Sequence, residues 1–147
     1  MTDLADFAGL VARDHGLAVV STLRPDATIS SSVVNAGVLR HPTSGAQAVA
    51  FVSRGDARRL AYLRATPRIT VVLRAGWQWA AAEGPVQLCG PDDPLPGVDT
   101  EGLRLLLRAV VTAAGGTHDD WETYDRVMAQ ERRTAVLMTP DRVYSTG

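Results

Sequence analysis

Three arginines stand close together in Ser53-Arg54-Gly55-Asp56-Ala57-Arg58-Arg59, where a strand-forming run gives way to a helical pattern. Guanidinium groups grip phosphate through paired hydrogen bonds. The free amides at a helix N-terminus favour anions as well. Ser53, Arg54, Arg58 and Arg59 are therefore a candidate phosphate grip. The same cluster also fits a solvated basic helix face, and Asp56 would repel a phosphate unless it points away. Further along, Trp77 and Trp79 flank Gln78, so on a strand both indoles point to one face. There they can support a flat ring system or serve as ordinary core or interface. Every one of the 15 basic residues is arginine, so an anion site here uses planar, multi-donor groups rather than a point charge.

Other chemistries find less support. His15, His41 and His118 fall in separate loops without metal-ligand spacing, so no metal site is expected. There is no Gly-x-Ser-x-Gly elbow, no Gly-x-Gly-x-x-Gly and no Walker loop. Asp92-Asp93 and Asp119-Asp120 fall in loops or caps. Arg132-Arg133 precede the last strand and read as solvated. Cys89, the one cysteine, reads as a packed thiol, excludes an intrachain disulfide and fits a reducing compartment. A binding site without an evident acid, base or nucleophile fits an enzyme whose cofactor carries the chemistry. It fits a non-catalytic binder equally well.

The elements that must position these residues follow from patterning. A helix is expected from Asp3 to Asp14, capped by Thr2 or Asp3, with Leu4, Phe7, Ala8 and Val11 on one face. Strands are expected at Leu17–Leu23, Thr28–Leu39, Gln47–Ser53, Ile69–Arg74, Gln78–Leu88 and Thr134–Ser145, the last interrupted by Pro140-Asp141. Gly84-Pro85 marks a bend or bulge. A helix from about Asp56 to Ala65 ends at Thr66-Pro67. Asp99 or Thr100 caps an amphipathic helix with Leu103, Leu106, Leu107, Val110 and Val111 on one stripe. Asp120 caps another carrying Trp121, Tyr124, Val127 and Met128. Six short strands with few helices predict a mainly β, α+β fold: a six-stranded antiparallel barrel with flanking helices.

The 147 residues suit one domain with a real core. With 46% hydrophobic and 21% charged residues and a formal net charge of -1, nothing points to nucleic acid or an anionic membrane as partner. No apolar run approaches the roughly 20 residues of a membrane span. Asp3 and Asp6 stand where a signal peptide would be basic, so a cytoplasmic protein is expected.

The Leu23-Arg24-Pro25-Asp26 turn before a serine-rich strand, and Ala61-Tyr62-Leu63-Arg64-Ala65-Thr66-Pro67-Arg68, form part of a recognisable order. Gly76-Trp77-Gln78-Trp79 through Glu83-Gly84, His118-Asp119-Asp120-Trp121 and Glu131-Arg132-Arg133 complete it. Together they resemble the split β-barrel flavin-binding proteins related to pyridoxamine 5′-phosphate oxidase. Within these, the sequence is most similar to the actinobacterial branch of deazaflavin (coenzyme F-420)-dependent oxidoreductases. The resemblance implies a homodimer with cofactor sites at the subunit interface and hydride transfer from reduced coenzyme F-420 to an unsaturated small-molecule acceptor. FMN is the alternative cofactor. It implies that Ser32, Val33 and Val34 border the ring system, and that Phe51, Val52 and Ser53 line the ring and ribityl chain. Arg54, Arg58 and Arg59 would sit at the phosphate, and Trp77, Gln78 and Trp79 would come from the partner subunit. Arg59 stands where the family often has lysine, and the sequence stops at Gly147 without the C-terminal arginine and histidine segment of true pyridoxamine phosphate oxidases. Vitamin B6 oxidation is therefore not expected.

Overall fold

The computed structural model describes residues 3–146, so Thr2, the alternative cap of the first helix, lies outside the described residues. Asp3 caps α1 (Leu4–Gly9) through a capping box, its carboxylate accepting from Asp6 N at 3.0 Å while Asp6 accepts from Asp3 N. The helix is shorter than its apolar periodicity predicts. After Gly9, a poor helix former, the chain tightens into a 3₁₀ turn at Val11–Asp14. His15 and Gly16, both left-handed, then turn it into the barrel.

The remaining elements are β1 (Leu17–Leu23), β2 (Ile29–Arg40), β3 (Gln47–Ser53), α2 (Arg58–Ala65), β4 (Arg68–Ala75) and β5 (Gln78–Cys89). They are followed by α3 (Thr100–Ala113), α4 (Trp121–Gln130), β6 (Thr134–Met138) and β7 (Arg142–Ser145). Six strands close an antiparallel barrel in the order β4-β1-β2-β3-β6-β5, with β5 returning to β4, and β7 is an extra strand on β5. The single last strand expected from the sequence is thus two. Both run along the same side of β5, but the register slips by one residue between Glu83↔Arg142 and Val86↔Met138. Thr139-Pro140-Asp141 form the bulge that absorbs the extra residue. Thr139 N and Asp141 N donate to Pro85 O and Glu83 O, and proline, lacking an N–H, occupies the position without a ladder bond. Gly84 lies opposite, where an added Cβ would come within 2.2 Å of the Thr139 carbonyl oxygen.

β2 is also shared between neighbours, and this creates the site. Its residues 29–35 pair with β1 and its residues 36–40 with β3. Beyond the Ala36↔Phe51 pair the two strands part, and Val52 and Ser53 of β3 bond only to β6. Alternation along β2 turns Val34 into the core and leaves Ile29 and Val33 outside. Phe7, Val20, Phe51, Leu60, Leu63, Leu73 and Met138 fill the barrel. A second apolar cluster beneath α3 and α4 joins Ala50, Leu106, Leu107, Val110, Tyr124 and Leu137. α3 approaches β2 so closely that a Cβ on Gly37 would lie 2.3 Å from the Ala113 carbonyl carbon. Asn35, with its amide nitrogen toward the carbonyls of His15 and Ala114 (3.1 Å each), ties the same end of α3 to β2. Among the described residues no helix is long and apolar enough to cross a membrane.

Candidate functional site

The parting of β2 from β3 leaves a groove of about 420 Å³. Val33 and Val34 of β2 and Val52 of β3 line its strand side. Val110 and Val111 of α3, with Tyr124 and Met128 of α4, form the roof. Arg54, Arg59 and Arg133 stand at its margins. A flat, largely apolar ring system fits such a slot.

At Ala57 and Arg59 the groove continues into a recess of about 270 Å³, lined also by Thr22, Arg24, Ser30, Ser32, Arg58 and Tyr62. Three guanidiniums and four hydroxyls line the recess, and no carboxylate does. The start of α2 lies against it: Ala57 is the N-cap residue and supplies no side-chain acceptor, Leu60 N donates to Ala57 O, and the Arg58 and Arg59 amides are left for a ligand.

Arg59 is the central group. Its Nη2 donates to Ser32 Oγ at 2.8 Å, and its guanidinium carbon lies 5.5 Å from the centre of the Phe51 ring. It makes no ion pair among the described residues, and burial pulls its guanidinium below the ordinary arginine value. A half-buried cation without a counter-ion is stabilised by any anion that arrives. Arg24 donates to Ile29 O (2.8 Å) and Thr28 Oγ1 (3.3 Å), both uncharged, and makes no ion pair among the described residues, although its charge also acts on the nearby Asp26 carboxylate.

Arg54 is different. Its Nε and Nη2 face the two carboxylate oxygens of Asp56 at 3.2 and 3.4 Å, and its Nη1 lies 4.0 Å from Glu131. Asp56 therefore neutralises Arg54 and leaves Arg58 and Arg59 free, which resolves the repulsion expected from the sequence. Ser32, Val33, Val34, Val52, Arg54, Arg58 and Arg59 all line the groove or its recess. Phe51 and Ser53 do not line it: both are buried beneath, Phe51 under Arg59 and Ser53 with its Oγ donating to Arg54 O at 3.2 Å.

Trp77, Gln78 and Trp79 stand apart at the β4–β5 turn. Trp77 is 95% exposed, Gln78 accepts from Arg13, and Trp79 packs edge-on against Tyr144 with centroids 6.1 Å apart. None of the three lines the groove of its own chain.

Several contributions escaped the sequence reading. Arg24 enters the recess from a turn and Tyr62 from the α2 face it shares with Arg58, and Thr22 and Ser30 add hydroxyls. Val110, Val111, Tyr124 and Met128 supply the roof, and Arg133, which read as solvated, borders the groove. Its neighbour Arg132 is indeed exposed and pairs with Asp92 at the surface. Pairs of basic residues before a strand carry no signal that separates these two fates. The groove also lacks a ready proton donor: the Tyr124 hydroxyl donates to Leu107 O at 3.0 Å, and burial pushes its pKa up. No cluster of three or more metal-binding side chains occurs among the described residues.

No protein-family model matches the chain. Solved structures do. A conserved hypothetical protein of Mycobacterium tuberculosis superposes with a TM-score of 0.67 at 17% identity, covering 99% of this chain and 84% of its own. A pyridoxamine 5′-phosphate oxidase-related, FMN-binding protein of Nostoc punctiforme gives 0.65 at 12% identity, covering 96% and 81%. An F-420 reductase gives 0.61 at 12% identity, covering 94% and 95%. The chain therefore has the split-barrel fold of pyridoxamine 5′-phosphate oxidase-like proteins, and identities this low establish the fold alone.

Proposed function

We propose that this chain is a split-barrel oxidoreductase that binds the deazaflavin coenzyme F-420 and delivers hydride from its reduced form to an unsaturated small molecule. One observation carries the reading: an apolar slot opens directly into a recess with three guanidiniums and no carboxylate. A ring joined to a phosphate has the same two-part chemistry. Arg24, Arg58 and Arg59 would take the phosphate with the free amides of α2. Ser32 holds Arg59 in place, and Val33, Val34 and Val52 would bear on the ring, with Val110, Val111 and Met128 keeping water from it. The bound deazaflavin would supply two-electron hydride chemistry. The protein's part is orientation and exclusion of water. With the Tyr124 hydroxyl committed to Leu107, the proton that completes reduction of the acceptor would come from solvent.

FMN is the alternative cofactor. The slot and recess suit both, and the structural likenesses include an FMN-binding protein as well as an F-420 reductase. The absence of a free acid or base in the groove favours one further reading, a flavin or deazaflavin carrier without turnover.

A homodimer belongs to the same proposal. Leu17, Val19, Leu23, Ile29 and Val33 are 38–67% exposed on the outer face of β1 and β2. Val19 faces Val33 and Leu23 faces Ile29 across the ladder, with the hydrogen-bonded Ser21–Ser31 pair between them, so the strip carries two apolar patches around a polar centre. A second copy on this strip would cover it. It would also bring Trp77, Gln78 and Trp79 of the other chain toward the groove.

Fluorescence titration of the purified protein with FMN and F-420, followed by assay of reduced F-420 oxidation across an acceptor panel, tests the proposal. Tight FMN binding without an F-420 response overturns the choice of cofactor. Binding of F-420 without turnover favours the carrier.

A further inference from the structure

A second cavity lies behind the roof of the groove. It measures about 230 Å³ and opens between α3 and α4. Leu103, Leu107, Met128 and Ala129 with Pro91 give it mostly apolar walls. An apolar cavity of about 150 Å³ admits benzene, so this one has room for a larger ring compound. Tyr124, Met128 and Arg133 line both the cavity and the groove, and the two spaces are one side chain apart.

The walls are held rigidly. Arg104 bridges the helices, with Nε to Glu101 at 2.9 Å and Nη1 to Asp125 at 2.9 Å. Arg108 holds Asp125 from the other side at 2.9 Å and covers the Trp121 ring at 5.2 Å. The Tyr124 hydroxyl fastens α4 to the Leu107 carbonyl. A cavity built from such fixed walls costs a ligand little reorganisation.

Its charges cancel, Glu101 and Asp125 against Arg104 and Arg133, so nothing in the lining selects an ionic ligand. Two polar groups remain available, the Thr100 hydroxyl at the exposed rim and a donor of Arg133. Arg133 spends Nε and Nη2 on Glu131 Oε1, both at 2.9 Å, and its Nη1 has no hydrogen-bond partner among the described residues. We propose that the α3–α4 cavity is a second small-molecule site, taking a neutral one- or two-ring compound whose oxygen accepts a hydrogen bond from Arg133.

The test uses the cofactor-free protein and the ¹³C signals of its methionine methyl groups. Met128 lines the cavity, and Met138, sealed in the barrel, serves as the internal reference. Titration with 1-tetralone should shift Met128 saturably and leave Met138 in place. Tetralin, the same ring without the oxygen, should bind about tenfold more weakly, the worth of a hydrogen bond to a charged donor. Ala129→Trp at the exposed rim should abolish the Met128 shift. Leu103→Phe, which narrows the cavity from the other helix, should weaken it. The proposal is overturned if millimolar 1-tetralone leaves Met128 unmoved, or if the shift survives Ala129→Trp. It is equally overturned if tetralin binds as well as the ketone, or if the anion 1-naphthoate binds more tightly than either.

Discussion

Replacing Arg59 with leucine separates a ligand-binding cation from a structural one. The side chain makes one hydrogen bond to Ser32 and lies over Phe51, without a carboxylate partner among the described residues. Losing the hydrogen bond costs about 1 kcal/mol and losing the cation–π contact about 0.5–1 kcal/mol. Both losses are offset by no longer burying an uncompensated charge, and leucine retains the packing of the aliphatic stem. Net stability should therefore change by no more than about 1 kcal/mol, or about 2–4 °C in Tm for a chain of this size. Binding should respond far more. A charge-assisted contact to phosphate contributes about 1.5–3 kcal/mol, so the Kd for F-420 or FMN should rise about 10- to 150-fold. Fluorescence titration gives the Kd, and urea unfolding of the same samples gives the stability. Arg40→Leu, at an exposed strand end, serves as a control for general loss of positive charge. Unchanged affinity in Arg59→Leu, or a loss of about 3 kcal/mol in stability, would refute the assignment of Arg59 to the anion.

Three further outcomes follow from the geometry. Val19→Glu places a charge in the exposed Val19–Val33 patch of the strip and should give a folded monomer by light scattering; an unchanged dimer would move the interface elsewhere. Gly37→Ala drives a Cβ against the Ala113 carbonyl and should cost about 1–3 kcal/mol in urea unfolding, with weaker cofactor binding because the α3 roof shifts. A cost below about 0.5 kcal/mol would show that α3 yields. The hydrogen bonds from Arg108, then Arg104, hold the Asp125 carboxyl below the usual carboxylate range. Its contribution to stability is complete above the unfolded value of about 4 and is lost as pH falls through the lower folded value. The Tm gap between the wild type and Asp125→Asn should therefore be full at neutral pH and close below about pH 4; a gap independent of pH would exclude the carboxylate as its source.

Local patterns in the chain reveal most of the fold. The bounds of β3 follow from an apolar run between turn residues, and Asp99 and Asp120 announce α3 and α4 by the capping they perform. The division of the last strand was half legible: Pro140-Asp141 shows the interruption, but the one-residue slip on β5 is a register, and register depends on a partner strand. The site divides along the same line. Arg58 and Arg59 were legible because they sit together at a helix start. Arg24 and Tyr62 were not, because only the closure of the barrel carries a turn and a helix flank to the same recess. The exposures of Arg132 and Arg133 differ because one faces Asp92 and the other the groove. No feature of two adjacent arginines encodes that difference.

Val33 connects the three proposals made for the groove. It lies in the part of β2 that has left β3, its side chain lines the slot, and it is 64% exposed on the outer sheet face. A ring in the slot would be covered by α3 and α4 on one side and bordered on the other by a strip that a lone chain leaves in water. In the proposed dimer, exclusion of water from a hydride-transferring ring would come from the same event that buries the strip, the arrival of a second chain. The distance of Trp77, Gln78 and Trp79 from their own groove fits this arrangement. Trp77 in particular, 95% exposed, is free to pack against another chain. Dimerisation and cofactor binding should consequently be coupled, with each F-420 or FMN molecule binding more tightly to the assembled pair than to the Val19→Glu monomer.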